Sequence, residues 1–143
     1  MMTMKRFLAV LIIVGGLASI FSAGADAAGK KKLPKHDLPA AVVSAFEKAY
    51  PKAVIKGIDK EKENGVTYYE LETMDGKIAR DFLYATDGTV FEMEETISAT
   101  EIPELVVKTL RTSYADYKIV KAEKVTKGAE VSYELALKKG KAP

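Results

Sequence analysis

The stretch VTYYEL at residues 66–71 returns as EVSYEL at residues 130–135, 64 positions further along the chain. The same offset relates two proline-led segments, LPAAVVSAFEKAY at residues 38–50 and IPELVVKTLRTSY at residues 102–114. An offset that stays constant across segments of different periodicity indicates an internal duplication. The sequence therefore predicts two structural units of similar design.

Each proline-led segment predicts one helix. Apolar residues recur at helical spacing in the first copy, and Pro39 falls in the first turn, where its missing N–H group costs nothing. The Tyr50-Pro51 step predicts the end of this helix. The second helix is predicted at residues 103–114, with Pro103 in the place of Pro39.

Short alternating segments bounded by turn residues follow each helix. Asn64-Gly65, Asp75-Gly76 and Asp87-Gly88 are hairpin signals, because these residue types adopt the backbone conformations that tight turns need. The predicted strands are residues 54–62, 66–74, 77–85 and 89–95, and then residues 117–126 and 130–138. The predicted fold class is α+β, with tandem helix-plus-antiparallel-sheet units ordered α-β-β-β-β (unit 1, residues 38–97) and α-β-β (unit 2, residues 98–143).

Two-residue turns at Asp75-Gly76 and Asp87-Gly88 predict the strand register and hence the two faces of the sheet. The count places Tyr69 opposite Phe82 and Tyr84 opposite Phe91. The apolar face is predicted to hold Tyr69, Leu71, Ile78, Phe82, Tyr84, Phe91 and Met93. Arg80 intrudes on this face, where it is expected to pair with Glu95 across the strands.

The opposite face has no second helix to cover it, and it is acidic. It is predicted to carry Tyr68, Glu70, Glu72, Asp81, Leu83, Glu92 and Glu94. The count places Glu70 opposite Asp81 and Asp81 opposite Glu94, and like charges that face each other across strands cost stability. Three interpretations stay open: a solvated outer face, a docking surface for a basic protein partner with Tyr68 as an aromatic anchor, or a Ca²⁺ site.

The last predicted strand has no later segment to pair with its outer edge. Lys138, Lys139 and Lys141 are typical of residues that protect an edge strand from association. Alternatively, this edge accepts a strand from a partner or from a second copy, which would give a homodimer.

Residues 1–25 have the pattern of a signal peptide. Lys5 and Arg6 precede an apolar run at residues 7–21, and Ala23-Gly24-Ala25 offers small residues for cleavage. An uncleaved membrane anchor is the alternative, but the run is shorter than the ~18–20 residues that a span needs. We expect cleavage, no stable membrane anchor afterwards, a flexible basic linker at residues 26–37, and a periplasmic or secreted protein.

Charge and composition exclude several functions. Residues 1–25 contain two of the 22 basic residues and none of the 20 acidic ones, so the exported chain would be close to neutral, and a nucleic-acid partner is not expected. The chain has no cysteine and one histidine, His36, in the predicted linker. The sequence offers no nucleophile–histidine triad and no phosphate-binding glycine loop. We therefore predict that the protein is not an enzyme and needs no cofactor.

The pattern LPxxVxxAFxxxYP, followed by NGxxYYEL, DGK and DGxV, resembles the PepSY-like, β-lactamase-inhibitor-like family. The residues that carry the resemblance are Leu38, Pro39, Val42, Phe46, Tyr50, Pro51, Asn64, Gly65, Tyr68, Tyr69, Glu70, Asp75, Gly76, Asp87 and Gly88. The resemblance implies an exported, non-catalytic module that binds or inhibits a protein through the open face of its sheet. An envelope protein that binds or senses a small ligand or a cation such as Ca²⁺ is the alternative. Two departures stand against carrying over β-lactamase inhibition: this chain lacks the disulfides of those inhibitors, and unit 2 lacks the counterpart of residues 80–95.

Overall fold

The two proline-led segments form two helices of equal length in a computed structural model that describes residues 8–13 and 31–140. Helix α1 spans Ala40–Ala49 and helix α2 spans Glu104–Ser113, and a proline occupies the N-cap position of each. Each helix ends at a tyrosine whose backbone N–H donates to the carbonyl four residues back. The predicted helices are therefore confirmed.

Eight strands form one antiparallel sheet. They are β1 (Leu8–Ile13), β2 (Lys31–Lys32), β3 (Val54–Glu63), β4 (Val66–Asp75), β5 (Ile78–Ala85), β6 (Val90–Thr96), β7 (Tyr117–Lys127) and β8 (Glu130–Lys139). Their order in the sheet is β1-β8-β7-β6-β5-β4-β3-β2. The predicted fold class is confirmed, with α1 followed by β3 to β6 and α2 followed by β7 and β8. The two repeats share this sheet, because β6 pairs with β7 over four residues, from Met93–Thr126 to Thr96–Glu123.

Both helices cover the same face of the sheet, and each has its own core. Val42 and Phe46 of α1 pack against the buried side chains of β3, β4 and β5, among them Leu71 and Phe82. The second core consists of Ile102, Val106, Leu110, Ala122, Leu135 and Leu137. The other face of the sheet carries no helix in the described part of the chain, and we call it the open face.

The pairing of β4 with β5 differs from the prediction by two residues. Tyr69 lies opposite Tyr84, Leu71 opposite Phe82, and Thr73 opposite Arg80. Strand β4 continues through Asp75, which pairs with Ile78, so the loop consists of Gly76 and Lys77 and not of Asp75 and Gly76. A shift of two residues keeps every side chain on its predicted face, although Ile78, at the end of β5, is 41% exposed and not a core residue.

The predicted position of Phe91 is wrong because the β5–β6 hairpin contains a bulge. Leu83 pairs with Glu92 and Tyr84 pairs with Val90, which leaves Phe91 as the extra residue. The bulge transfers Phe91 from the helix-covered face to the open face. Past the bulge the prediction is correct: Phe82 lies opposite Met93 and Asp81 lies opposite Glu94.

Arg80 is held on the helix-covered face by three partners. Its guanidinium group forms ion pairs with Glu95 and, at 3.4 Å, with Asp75. It also lies 5.3 Å from the ring centre of Tyr50. The predicted pairing of Arg80 with Glu95 is confirmed, and it explains how a charged side chain that is only 13% exposed is tolerated beside the core.

The outer edge of β8 is not bare in this structure. Strand β1 pairs with it from Leu8–Leu137 to Ile13–Ser132, which corrects the expectation that nothing in the sequence pairs with this edge. An apolar run of this length is compatible with a strand as well as with a signal peptide. The predicted cleavage site at residues 23–25, the start of the linker and Lys141 lie outside the described residues. Within those residues, neither helix has the length and apolar character needed to cross a membrane.

Candidate binding face of the sheet

The seven residues predicted to form a binding surface share the open face of the sheet. Alternation along the strands places Tyr68, Glu70 and Glu72 of β4 on this face, beside residues of β5 and β6. The members from β5 and β6 are Asp81, Leu83, Glu92 and Glu94. Glu72 is exposed and the other six are half-buried.

Carboxylates lie opposite one another in a row across three strands. Glu72 pairs with Asp81, and Asp81 pairs with Glu94. The predicted opposition of Glu70 and Asp81 is corrected, because Glu70 lies opposite Leu83. Directly opposed side chains on one face are close neighbours, so the row concentrates negative charge at the middle of the face.

Unit 2 adds two carboxylates and two lysines that the sequence reasoning missed. Glu123 of β7 lies opposite Glu134 of β8, and Thr96 of β6 lies opposite Glu123. Lys121 and Lys127 share this face with Glu123, two and four residues away along β7. These residues join the site only because β6 pairs with β7. The repeat offers one signal, since Glu134 is the counterpart of Glu70.

The clustered carboxylates favour protonation. Burial and the neighbouring charges of Glu134, Glu123, Glu92 and Asp81 raise the pKa of Glu94 to about 7. Burial, followed by the charges of Glu72, Glu70 and Glu123, also raises the pKa of Asp81. The pKa of Glu134 is raised for the same reasons, with Glu123 as its main charged neighbour. The face therefore holds negative charge at an energetic cost near neutral pH.

Two lysines offset part of this charge. Lys121 Nζ lies 2.6 Å from Glu123 Oε1, and Lys127 Nζ lies 3.3 Å from Glu92 Oε2. Val125, which lies opposite Glu94, is only 8% exposed although it is on the open face. One apolar side chain is therefore buried at the middle of the open face.

One end of the face carries an aromatic pair. The rings of Tyr68 and Phe91 lie 4.8 Å apart between their centres. The ammonium group of Lys127 lies 4.3 Å from the centre of the Phe91 ring. The bulge that displaces Phe91 therefore creates an aromatic patch beside the acidic row, and the regular count of residues could not have found it.

The described residues offer little for a metal ion or an enclosed ligand. Among residues 8–13 and 31–140, no group of three or more histidines and carboxylates is arranged to hold a metal ion. A shallow depression lies elsewhere, between α1 and the turn before it, and is lined by residues that include Lys35, His36, Val43 and Glu47. His36 is largely exposed and its imidazole lies 3.4 Å from Asp37. Neither this depression nor the carboxylates of the described residues provide a specific site for the alternative function, a sensor of a small ligand or a cation.

Comparison with known proteins gives a family and a fold. A family model described as "Putative beta-lactamase-inhibitor-like, PepSY-like" matches residues 27–92 and again residues 67–142. A search of curated proteins gave no match. The solved structure of a BLIP-like protein from Bacteroides fragilis NCTC 9343 is similar in fold, with a TM-score of 0.56, 18% identity, and coverage of 76% of this chain and 74% of that one.

Two further solved structures, both from Bacteroides, are more distant. A "putative periplasmic protein of unknown function" from Bacteroides vulgatus has a TM-score of 0.42 at 18% identity, covering 76% of this chain and 92% of its own. A "putative calcium-regulated periplasmic protein" from Bacteroides thetaiotaomicron has a TM-score of 0.41 at 14% identity, covering 73% of this chain and 87% of its own.

Proposed function

The chain belongs to the PepSY-like, β-lactamase-inhibitor-like family, and on that premise we propose that it is an exported, non-catalytic module that binds a basic protein partner through the open face of its sheet. The observation that carries this proposal is the row of opposed carboxylates, Glu72, Asp81 and Glu94, on a face that no helix of the described chain covers. A cationic surface would relieve the repulsion between these carboxylates, and this electrostatic gain would favour the binding of a basic partner.

The raised pKa of Glu94 supports a cationic partner. A carboxyl group whose pKa is about 7 is partly protonated near neutral pH. A lysine or arginine brought beside it favours the ionised form and expels the proton. Binding would then release protons, and an apolar contact elsewhere on the protein would not do so.

The aromatic pair supports a protein partner over a small cation. Tyr68 and Phe91 place two large, half-buried rings next to the acidic row. Aromatic residues are enriched among the side chains that carry most of the binding energy between proteins. A bare divalent ion would make no use of them.

The proposed location is the periplasm or the extracellular space. The basic start and the apolar run of residues 1–25 support export with removal of this segment. All members of both cores lie between residues 38 and 137, so the exported chain would keep them. The single histidine of the chain, His36, is largely exposed, which supports a non-catalytic role.

The experiment compares three baits for the capture of envelope proteins from the source cell. The first is the exported protein, and the second carries Lys at positions 70, 81 and 94 through Glu70→Lys, Asp81→Lys and Glu94→Lys. The third makes the same change in charge away from the open face, through Glu47→Lys, Glu104→Lys and Asp116→Lys. We expect the first and third baits to retain the same partner and the second to lose it.

Calorimetry on the captured partner then tests the mechanism. Titrations in buffers of different ionisation enthalpy should report net proton release at neutral pH, which Glu94→Gln should reduce. Equal capture by all three baits would refute the assignment of the face. Capture that depends on the face without proton release would contradict the role of Glu94.

A further inference from the structure

The outer edge of β8 is built to receive a strand. In this structure Leu8–Ile13 pairs antiparallel with residues 132–137, and the pairing ends before the exposed Lys138 and Lys139. The occupant is an apolar six-residue strand, LAVLII.

The internal duplication explains why this edge accepts a strand. Strand β8 is the counterpart of β4, with Leu135 in the place of Leu71 and Tyr133 in the place of Tyr69. The same edge of β4 is filled by β5, where Phe82 pairs with Leu71 and Tyr84 pairs with Tyr69. Within the described residues, β1 occupies the corresponding position beside β8, with Val10 opposite Leu135 and Ile12 opposite Tyr133.

Removal of residues 1–25 would vacate the edge, and on this point the inference rests on the proposed export. The outward N–H and C=O groups of β8 would then lose their partners, and such an edge is a template for another strand. We propose that a second copy of the chain fills it, with the two β8 strands pairing antiparallel about a two-fold axis in one continuous sheet.

The sequence of β8 is complementary to itself when residues whose numbers sum to 268 lie opposite each other. Residues that lie opposite each other across two antiparallel strands have their side chains on the same face of the sheet. In a symmetric β8–β8 pair, the two opposed residues are therefore both even-numbered or both odd-numbered. When Glu134 of one copy lies opposite Glu134 of the other, Glu130 faces Lys138 twice. The helix-covered face then pairs Val131 with Leu137 and Tyr133 with Leu135. Residues 133, 135 and 137, which lie opposite β1 in this structure, would thus lie opposite apolar or aromatic residues of the second β8.

In this register Lys138 forms ion pairs across the dimer interface. Lys138 discourages random strand addition when it meets an apolar edge, but it gains two symmetric ion pairs in the proposed dimer. The self-opposed Glu134 is the one unfavourable contact of the register. A two-residue shift would place Lys138 against Ser132 and would remove both ion pairs. A four-residue shift would pair Lys138 with Glu134 instead of Glu130, but it would place Lys139 against Tyr133 on the helix-covered face.

The first experiment measures the mass of the exported protein. Intact mass spectrometry tells whether residues 1–25 are removed, and sedimentation tells whether the protein is a dimer. We expect a dimer that lacks residues 1–25. A synthetic peptide containing the LAVLII segment should dissociate it, and a scrambled peptide should not.

Charge exchange then tests the register. Lys138→Glu should raise the dissociation constant about tenfold, because two opposed pairs become repulsive, and adding Glu130→Lys in the same chain should restore it. Glu134→Gln should strengthen the dimer. Lys138 and Glu130 are exposed, and glutamine keeps the shape of the half-buried Glu134, so circular dichroism is expected to show an unchanged fold in each variant.

The outcomes separate this inference from the proposed function. The proposed dimer would be wrong if the cleaved protein stays monomeric, or if Lys138→Glu does not change its dissociation constant. Neither result would contradict the binding function proposed for the open face. A cleaved monomer that nevertheless binds the LAVLII peptide would point to a foreign strand as the occupant and would also overturn the dimer. Retention of residues 8–13 would overturn both the removal of the leader and the dimer.

Discussion

Replacement of Glu94 by glutamine should stabilise the protein at alkaline pH and not at acidic pH. Burial and the surrounding carboxylates raise the pKa of Glu94 from 4.5 to about 7. The folded chain therefore binds this proton more tightly than the unfolded chain does. It follows that stability falls as the pH rises from about 4.5 to about 7, and that the loss is complete above this window.

The size of the effect follows from the same shift. A difference of one unit in pKa corresponds to ~1.4 kcal/mol, so a shift from 4.5 to about 7 could lower the free energy of unfolding by at most ~3–4 kcal/mol. Glu94 is half-buried, not sealed from water, and solvent screening reduces this to ~1–2 kcal/mol. Glutamine keeps the shape of the side chain and removes its charge, so it should recover about this amount at high pH.

Urea unfolding at about pH 5 and about pH 8 measures the difference. Glu94→Gln should increase the free energy of unfolding by ~1–2 kcal/mol at the higher pH and change it little at the lower. Glu104→Gln, on the exposed side of α2, is the control for the loss of one carboxylate. A gain of equal size at both pH values, or a loss at pH 8, would refute the reasoning.

Three further changes test the fold. Gly65→Ala and Gly88→Ala form a matched pair, because both glycines have a positive φ (84° and 86°) but only Gly88 would bring a methyl group within 2.6 Å of a backbone oxygen; urea unfolding should show a loss larger by at least ~1 kcal/mol at Gly88, and equal losses would contradict the contact. Phe82→Ala, at a side chain 1% exposed, should cost ~3–5 kcal/mol in the same assay, and a cost below ~1 kcal/mol would be incompatible with a packed core. Arg80→Met should cost ~1–3 kcal/mol because it leaves Glu95 without its partner, and a double mutant that also carries Glu95→Leu should regain most of the loss.

The duplicated sequence predicts the secondary structure well because its signals are local. Pro39 and Pro103 mark both helix starts, and the three turn glycines, Gly65, Gly76 and Gly88, separate the strands of unit 1. Proline restricts the backbone by its ring, and glycine permits the positive φ that these three turns adopt. Tertiary contacts then do not need to be known for the elements to be found.

The errors arise where one residue changes the count between strands. The continuation of β4 through Asp75 moved the register by two, and the bulge at Phe91 moved one side chain to the opposite face. The shift of two preserves the alternation of apolar and polar residues, and the bulge interrupts it at Phe91 without a residue type that marks it.

The candidate face was predicted in part. Its seven residues from unit 1 share one surface, because alternation along a strand survives a shift of two. The contribution of Glu123 and Glu134 depends on the pairing of β6 with β7, which is a contact between residues distant in the sequence. The repeat indicates that two similar units exist but not which strand of one lies beside which strand of the other.

The four-residue pairing of β6 with β7 also has a consequence for how the chain folds. Unit 1 brings four consecutive strands and a helix around a core of its own, and its contacts are mostly between neighbours in sequence, which favours rapid folding. Unit 2 brings two strands, and its inner strand β7 completes its hydrogen bonding on β6. Unit 1 would therefore serve as the template on which unit 2 orders, in the direction of synthesis. The four-residue seam is the shortest pairing between neighbouring strands from β3 to β8, so it is where the two units would separate from each other.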